Sequence, residues 1–201
     1  MRNILRLIKR DILLFFQTPK NYIYSLLVTE HEPVKLYAYD SQSAVIAKDL
    51  QMKIRQNVKG VHVEFVGSAA LKLPGYKDID LFIPTTQDKL HEIDSKLVDL
   101  FGKPTKRRKY FSEWNIRKKN FMVELMLINK SDKAYVEQKI VYDILRKNKM
   151  LLKEYKTLKL NAQGILKNEY QKRRLEFYNR IIREHHGVSN SHYSSIINNS
   201  S

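Results

Sequence analysis

The sequence contains no cysteine, which excludes a disulfide scaffold and any thiolate metal site. It also lacks an apolar run long enough to cross a bilayer, for which about 20 residues are needed. The closest approach, Met1 to Phe16, is interrupted by Arg2, Arg6, Lys9 and Arg10. That segment reads as an amphipathic basic helix packed on its own domain, with docking on a membrane surface the less favoured alternative. No small-residue cleavage site of a signal peptide follows it, so the expected location is the cytoplasm. Acidic residues are in short supply: 21 Asp and Glu face 37 Lys and Arg, a net charge of +16. Such an excess favours polyanions as partners, whether triphosphates, nucleic acid or anionic headgroups, and charge alone does not choose among them. No internal repeat is present, and 43% hydrophobic content over 201 residues suits one ordinary core.

Three segments are expected: an N-terminal helical extension over 1–33, a main domain over 34–186, and a disordered Ser- and Asn-rich tail over 187–201. Within the main domain Val34, Leu36 and Ala38 alternate as a candidate strand. Ala47, Leu50, Ile54 and Val58 recur at helical spacing after a cap at Ser41 or Ser43, and Gly60 stands past the end as a stop. Val61 to Val66 and Ile79 to Ile83 predict two strands around a loop containing Gly67-Ser68 and Pro74-Gly75. Leu90, Ile93, Leu97, Leu100 and Phe101 predict a helix that ends at Gly102. Strands are expected over Lys106 to Ile116 and Phe121 to Ile128, around a turn at Lys118-Lys119-Asn120. Beyond Ser131 the periodicity is helical, with Asn148 placed to cap one helix. The predicted fold is α+β, a small mixed sheet with flanking helices and a helical C-terminal portion.

Successive side chains of a strand point to opposite faces, so Asp78 and Asp80 project from one face. Two ionised carboxylates beside Ile79, Leu81 and Phe82 are unfavourable unless a cation neutralises them. Oxygen-only ligands suit Mg²⁺ or Mn²⁺, which keep waters and recruit substrate phosphates. Upstream, Gly67 permits close backbone approach, and the Ser68 hydroxyl with adjacent N–H groups can meet a phosphate. Glu124 interrupts Phe121-Met122-Val123 and Leu125-Met126-Leu127-Ile128, so it must find a partner, a metal ion or a basic side chain. Order and spacing, Gly-Ser then Asp-Ile-Asp on the next strand, resemble the signature of the nucleotidyltransferase superfamily. What the resemblance implies is metal binding by Asp78, Asp80 and Glu124, these being also the catalytic residues, and transfer of a nucleotidyl group from a triphosphate, ATP first among them, to a hydroxyl acceptor. The rival reading is an inactive fold that binds nucleotide or nucleic acid.

Tyr39-Asp40, Glu64-Phe65-Val66-Gly67-Ser68, Pro74-Gly75, Lys77 and Asp80 fall in the order seen in the GrpB family, which the chain resembles from about Val34 to Arg183. Leu145-Arg146, Asn148, Leu151, Tyr155, Leu158, Lys159 and Tyr170 are similar to that family's C-terminal helical motif. Many GrpB proteins carry His or Gln where Glu124 stands here, so the acidic residue favours an active metal site. Ala69-Ala70 and Arg174 depart from the usual pattern.

Lys77 is placed to meet a phosphate beside the carboxylates, though a surface lysine needs no such role. Arg146, Tyr155 and Lys159 are further nucleotide-binding candidates, because Tyr155 and Lys159 share a helix face; core packing of Tyr155 is an equal alternative. Lys103, Lys106, Arg107, Arg108, Lys109, Arg117, Lys118 and Lys119 surround Tyr110, Phe111 and Trp114. This mixture suits nucleic acid or another polyanion, and a solvated basic hairpin has the same composition.

Overall fold

The computed structural model describes residues 32–197, with side chains described to residue 186. The helix expected over Met1 to Phe16 lies outside the described residues. So do the side chains of the tail expected from Gly187, along which the backbone of the last helix continues to Ile197. The stretch expected as one domain divides into two compact units, residues 35–136 and residues 137–197 joined by 32–34.

The first unit opens on helix α1, Gln42–Asn57. Ser41, one of the two expected caps, stands at its N-cap position, but the capping side chain is that of the preceding Asp40. The Asp40 side chain accepts the Gln42 N–H at 2.9 Å, its carbonyl accepts the Ser43 hydroxyl at 2.7 Å, and Ser41 makes no capping bond. Strand β1 is confined to Glu64–Val66, shorter than the predicted run. The reason lies in α1, since Gln51 and Arg55 side chains donate to the Val63 carbonyl and take it from any ladder. A single helical turn, α2 (Gly67–Ala70), leads by a loop to β2 (Asp78–Thr85) and then to α3 (Leu90–Phe101). Strands β3 (Lys106–Arg108), β4 (Phe111–Lys118) and β5 (Phe121–Asn129) follow.

The segment predicted as one strand from Lys106 to Ile116 is thus a hairpin. It breaks at Lys109-Tyr110, which carry no Gly, Pro or Asn to announce a turn. Their carbonyls accept instead from the Gln87 side chain and the Asn129 N–H. No strand forms at Val34 to Ala38 either. Val34 bonds within the helical unit, its N–H to the Ile165 carbonyl at 2.7 Å, while Tyr37 forms an isolated bridge with Gly75 in the sheet unit.

The five strands run in the order β1-β2-β5-β4-β3, parallel only between β2 and β5. The expected neighbours, the strands around Gly67-Ser68 and the strand of Glu124, are adjacent. Alternation then divides the faces. Ile79, Leu81, Ile83, Val123, Leu125 and Leu127 point into a core closed by Ile46, Leu50 and Ile54 of α1 and Ile93 and Leu97 of α3. Each such aliphatic side chain contributes roughly 1.5–3 kcal/mol on burial, which fixes the register by holding this set inward. The even-numbered residues of β2 and β5 are consequently presented on the other face. The fold is α+β, a mixed sheet with flanking helices, as the sequence predicts.

In the second unit α4 (Lys133–Lys147), whose first turn belongs to the sheet unit, is followed by α5 (Lys149–Leu160) and α6 (Lys167–Ile197). Asn148 caps α5 as expected, accepting the N–H groups of Met150 at 3.0 Å and Leu151 at 3.1 Å. Tyr155 stacks on Phe177 with ring centroids 5.2 Å apart and accepts the Tyr178 hydroxyl at 2.8 Å. Burial, then the neighbouring Tyr178 and Tyr170, holds its phenol well above the ordinary tyrosine range. Among the described residues no helix is long and apolar enough to cross a membrane.

Candidate active site

Cross-strand register builds the site. Asp80 stands opposite Val66 on β1 and opposite Glu124 on β5, and Glu124 stands opposite Asn115 on β4. Register partners on adjacent strands share a face and lie roughly 4.8 Å apart. One row of the sheet therefore carries Asp80, Glu124 and Asn115 side by side. Asp78 projects from the same face one step along, in a row with Met122 and Arg117. On the other side of the central row, Phe82 is covered by the Tyr135 ring, and the Tyr135 hydroxyl donates to Glu64 at 3.3 Å. The carboxylates thus sit on a half-buried face bounded at one end by aromatic rings.

The Gly67-Ser68 turn is seated on this row. Gly67 has φ of +74°, and a β-carbon there would overlap the carboxylate of Asp80. A β-carbon on Gly75 would lie 3.4 Å from both Asp78 Oδ1 and Ser68 Cβ. Gly67 with Asp80, and Gly75 with Asp78 and Ser68, are two independent close approaches that tie the turn to the carboxylate strand. Gly67→Ala is therefore expected to cost about 2 kcal/mol or more, combining left-handed backbone strain with crowding of Asp80. Gly60 is the control, with a similar φ of +75° and, among the described residues, nothing within 4 Å of its would-be β-carbon. Urea unfolding should show Gly67→Ala clearly less stable than Gly60→Ala; equal losses would mean that Asp80 is not packed against Gly67.

The sheet unit thus brings together Gly67, Ser68, Lys77, Asp78, Asp80 and Glu124. The remaining candidates lie in the helical unit: Arg146 is exposed in the last turn of α4, whereas Tyr155 and Lys159 are buried on α5. Lys159 donates to the Tyr170 hydroxyl at 3.1 Å, and Tyr155 packs as described above. Lys77 is turned toward Tyr37, its ammonium 4.7 Å from the ring centroid. The sequence alone does not single out Asn115; its Oδ1 is buried and, among the described residues, meets no hydrogen-bond donor.

All the acidic donors on this face are carboxylate oxygens, the chemistry of a hard divalent cation. Among the described residues, no group of three His, Cys, Asp or Glu is arranged to hold a metal ion. Mg²⁺ is ordinarily held by one or two carboxylates, with waters and substrate phosphates completing its shell, so Asp78 and Asp80 fit it as a pair rather than as part of a closed cage.

Residues 33–184 match the family model described as GrpB protein. No curated protein matches the chain. Among solved structures, the chain is similar to the conserved protein GrpB from Enterococcus faecalis at 12% identity and a TM-score of 0.56, over 75% of this chain and 99% of that one. At that identity the likeness concerns the fold alone. The Cid1 poly(U) polymerase with MgGTP bound matches at 12% identity and a TM-score of 0.39, over 68% of this chain and 49% of the other. This chain spans about half the length of that polymerase, and a likeness at this score carries no weight.

Proposed function

The chain belongs to the GrpB family, and from that premise we propose that it is a metal-dependent nucleotidyltransferase, moving a nucleotidyl group from a nucleoside triphosphate, ATP in the first instance, to a hydroxyl acceptor. The observation that carries this reading is the register of Asp80 with Glu124 beneath the Gly67-Ser68 turn. Two carboxylates brought side by side repel one another, and a site that keeps them so is suited to positive charge.

When bound, Mg²⁺ or Mn²⁺ supplies charge neutralisation at the phosphates and acidifies the acceptor hydroxyl. Asp78 and Asp80 are the residues that would hold the cation, on the strand that leaves the Ser68 loop. The Ser68 hydroxyl and nearby backbone N–H groups grip the β- and γ-phosphates. Glu124 accepts the hydroxyl proton while the acceptor oxygen bonds to the α-phosphorus and the bond to the pyrophosphate oxygen breaks. Asn115 stands beside Glu124 in the same row. Tyr155 and Lys159 serve the helical core in this reading, and Arg146 remains a surface cation available to phosphate.

The acceptor side is the basic end of the same face. Arg117 shares the row and face of Asp78, Lys118 alternates to the other face, and Lys119 follows in the hairpin turn. A phosphate-bearing acceptor, a nucleic-acid end included, is the class best matched to that charge. The test is calorimetric titration of ATP with and without Mg²⁺, run beside a pyrophosphate-release assay over nucleic-acid ends, protein hydroxyls and small metabolites. Metal-dependent binding with pyrophosphate release is the expected result. Binding without release from any acceptor points to a nucleotide-binding module, and no binding in either condition ends the nucleotidyltransferase reading.

A further inference from the structure

The loop between the Ser68 turn and β2 is pinned by a residue far upstream. Tyr37 and Gly75 exchange both main-chain bonds, Tyr37 N–H to Gly75 O at 2.8 Å and Gly75 N–H to Tyr37 O at 3.0 Å. Gly75 is the residue packed on both Asp78 and Ser68. Tyr37 is therefore one hydrogen-bonded step from the residues proposed to hold metal and phosphate, and such a pair has α-carbons about 5.5 Å apart.

Two ammonium groups converge on the Tyr37 ring: Lys77 Nζ at 4.7 Å and Lys35 Nζ at 5.6 Å from its centroid. Among the described residues neither forms an ion pair with a carboxylate. Lys77 also holds a left-handed φ of +61°, and its carbonyl accepts the Met122 N–H at 3.1 Å. A lysine seldom adopts that conformation, and strain of this kind persists where the surroundings over-determine it. Here the sheet fixes the Lys77 backbone from one side and the ring draws its side chain from the other. An aromatic face steadies an ammonium without using up its three N–H donors, which stay available to an anion. A solvated basic face needs neither the main-chain bridge nor the strained backbone.

We propose that Lys35 and Lys77, held in place by Tyr37, form a binding site for the terminal phosphate of a nucleoside triphosphate. This rests on the reading of the carboxylate row as a nucleotide site and adds to it a basis for choosing triphosphate over diphosphate. Ser68 and the metal ligands meet the polyphosphate from the side of the carboxylate row, while the two lysines add the charge contact at its end, where its negative charge is concentrated. Tyr37 acts as a positioning residue through both lysines.

The test measures ATP, ADP and AMP affinities of the full chain in Mg²⁺ for wild type, Lys35→Met with Lys77→Met, and Tyr37→Leu. Methionine keeps most of the lysine stem and removes the charge, and thermal melts check that each variant is folded. Wild type should prefer ATP over ADP by about tenfold or more, the scale of one charge-assisted contact. The double variant should lose that preference, with ATP weakened to the ADP level and ADP and AMP unmoved, and Tyr37→Leu should lose part of it. An unchanged ATP preference in the double variant overturns the proposal while leaving the nucleotide site standing. So does an equal loss for all three nucleotides. If wild type binds no nucleotide with Mg²⁺, the underlying reading and this site fall together.

Discussion

Asp80→Asn is expected to abolish metal-dependent ATP binding and to lower turnover by about a thousandfold or more. A correctly held cation contributes several kcal/mol at a phosphoryl centre, and each 1.4 kcal/mol is a factor of ten. The substitution barely changes volume. Because the Asp80 side chain is seated against the α-carbon of Gly67, an amide of the same shape should keep that packing, and the melting temperature should change little. What the variant loses is an anionic oxygen from the ion's shell. Calorimetric titration with ATP, in Mg²⁺ and in chelator, separates the two effects: wild type should bind only with metal, and the variant in neither condition. Equal binding by both proteins, with and without metal, would falsify the assignment of Asp80 as a ligand.

The elements of the two units were legible in the sequence to different degrees. Helix α3 and the Asn148 cap are local features, set by a 3.6-residue period and by one side chain reaching two N–H groups, and both appear where predicted. The pairing of Asn115 with Glu124 was also within reach. The β4–β5 hairpin closes with Lys118 opposite Phe121, and counting three residues back along one strand and three forward along the other sets Asn115 against Glu124. That step needs only the loop length. By contrast, the register of Asp80 with Glu124 is parallel and joins strands separated by a helix and a hairpin. No turn fixes such a register; packing of the buried aliphatic rows does, and that emerges only with the whole sheet. The Tyr37 bridge was illegible for a related reason. The segment from Val34 to Ala38 has a strand's alternation, yet its residues find partners in two different units, so no ladder forms.

Glu124→Gln should separate chemistry from binding, and its expected effect is a fall in kcat of about 100-fold with the ATP dissociation constant nearly unchanged. Position on the sheet is the basis for giving Glu124 a role distinct from that of the two aspartates. Asp78 and Asp80 lie on the strand that leaves the Ser68 loop, against Gly75 and Gly67, where the triphosphate is proposed to bind. Glu124 lies one strand further from that loop, between Asp80 and Asn115, toward the strand that carries Arg117. Glutamine retains the shape and can still accept a hydrogen bond from the acceptor hydroxyl, but it cannot take the proton. Loss of a general base typically costs 100-fold to 10,000-fold, and the lower end applies because acidification of the hydroxyl by the cation remains. The pH profile supplies a readout that a structural role would leave unmoved: the rising limb of kcat in wild type should be lost or displaced in the variant. Single-turnover kinetics at saturating Mg²⁺-ATP would measure both quantities. If Glu124→Gln weakens ATP binding as severely as Asp80→Asn while turnover at saturation is preserved, Glu124 contributes uniform binding, as a third metal ligand would, and the proton must leave by another route.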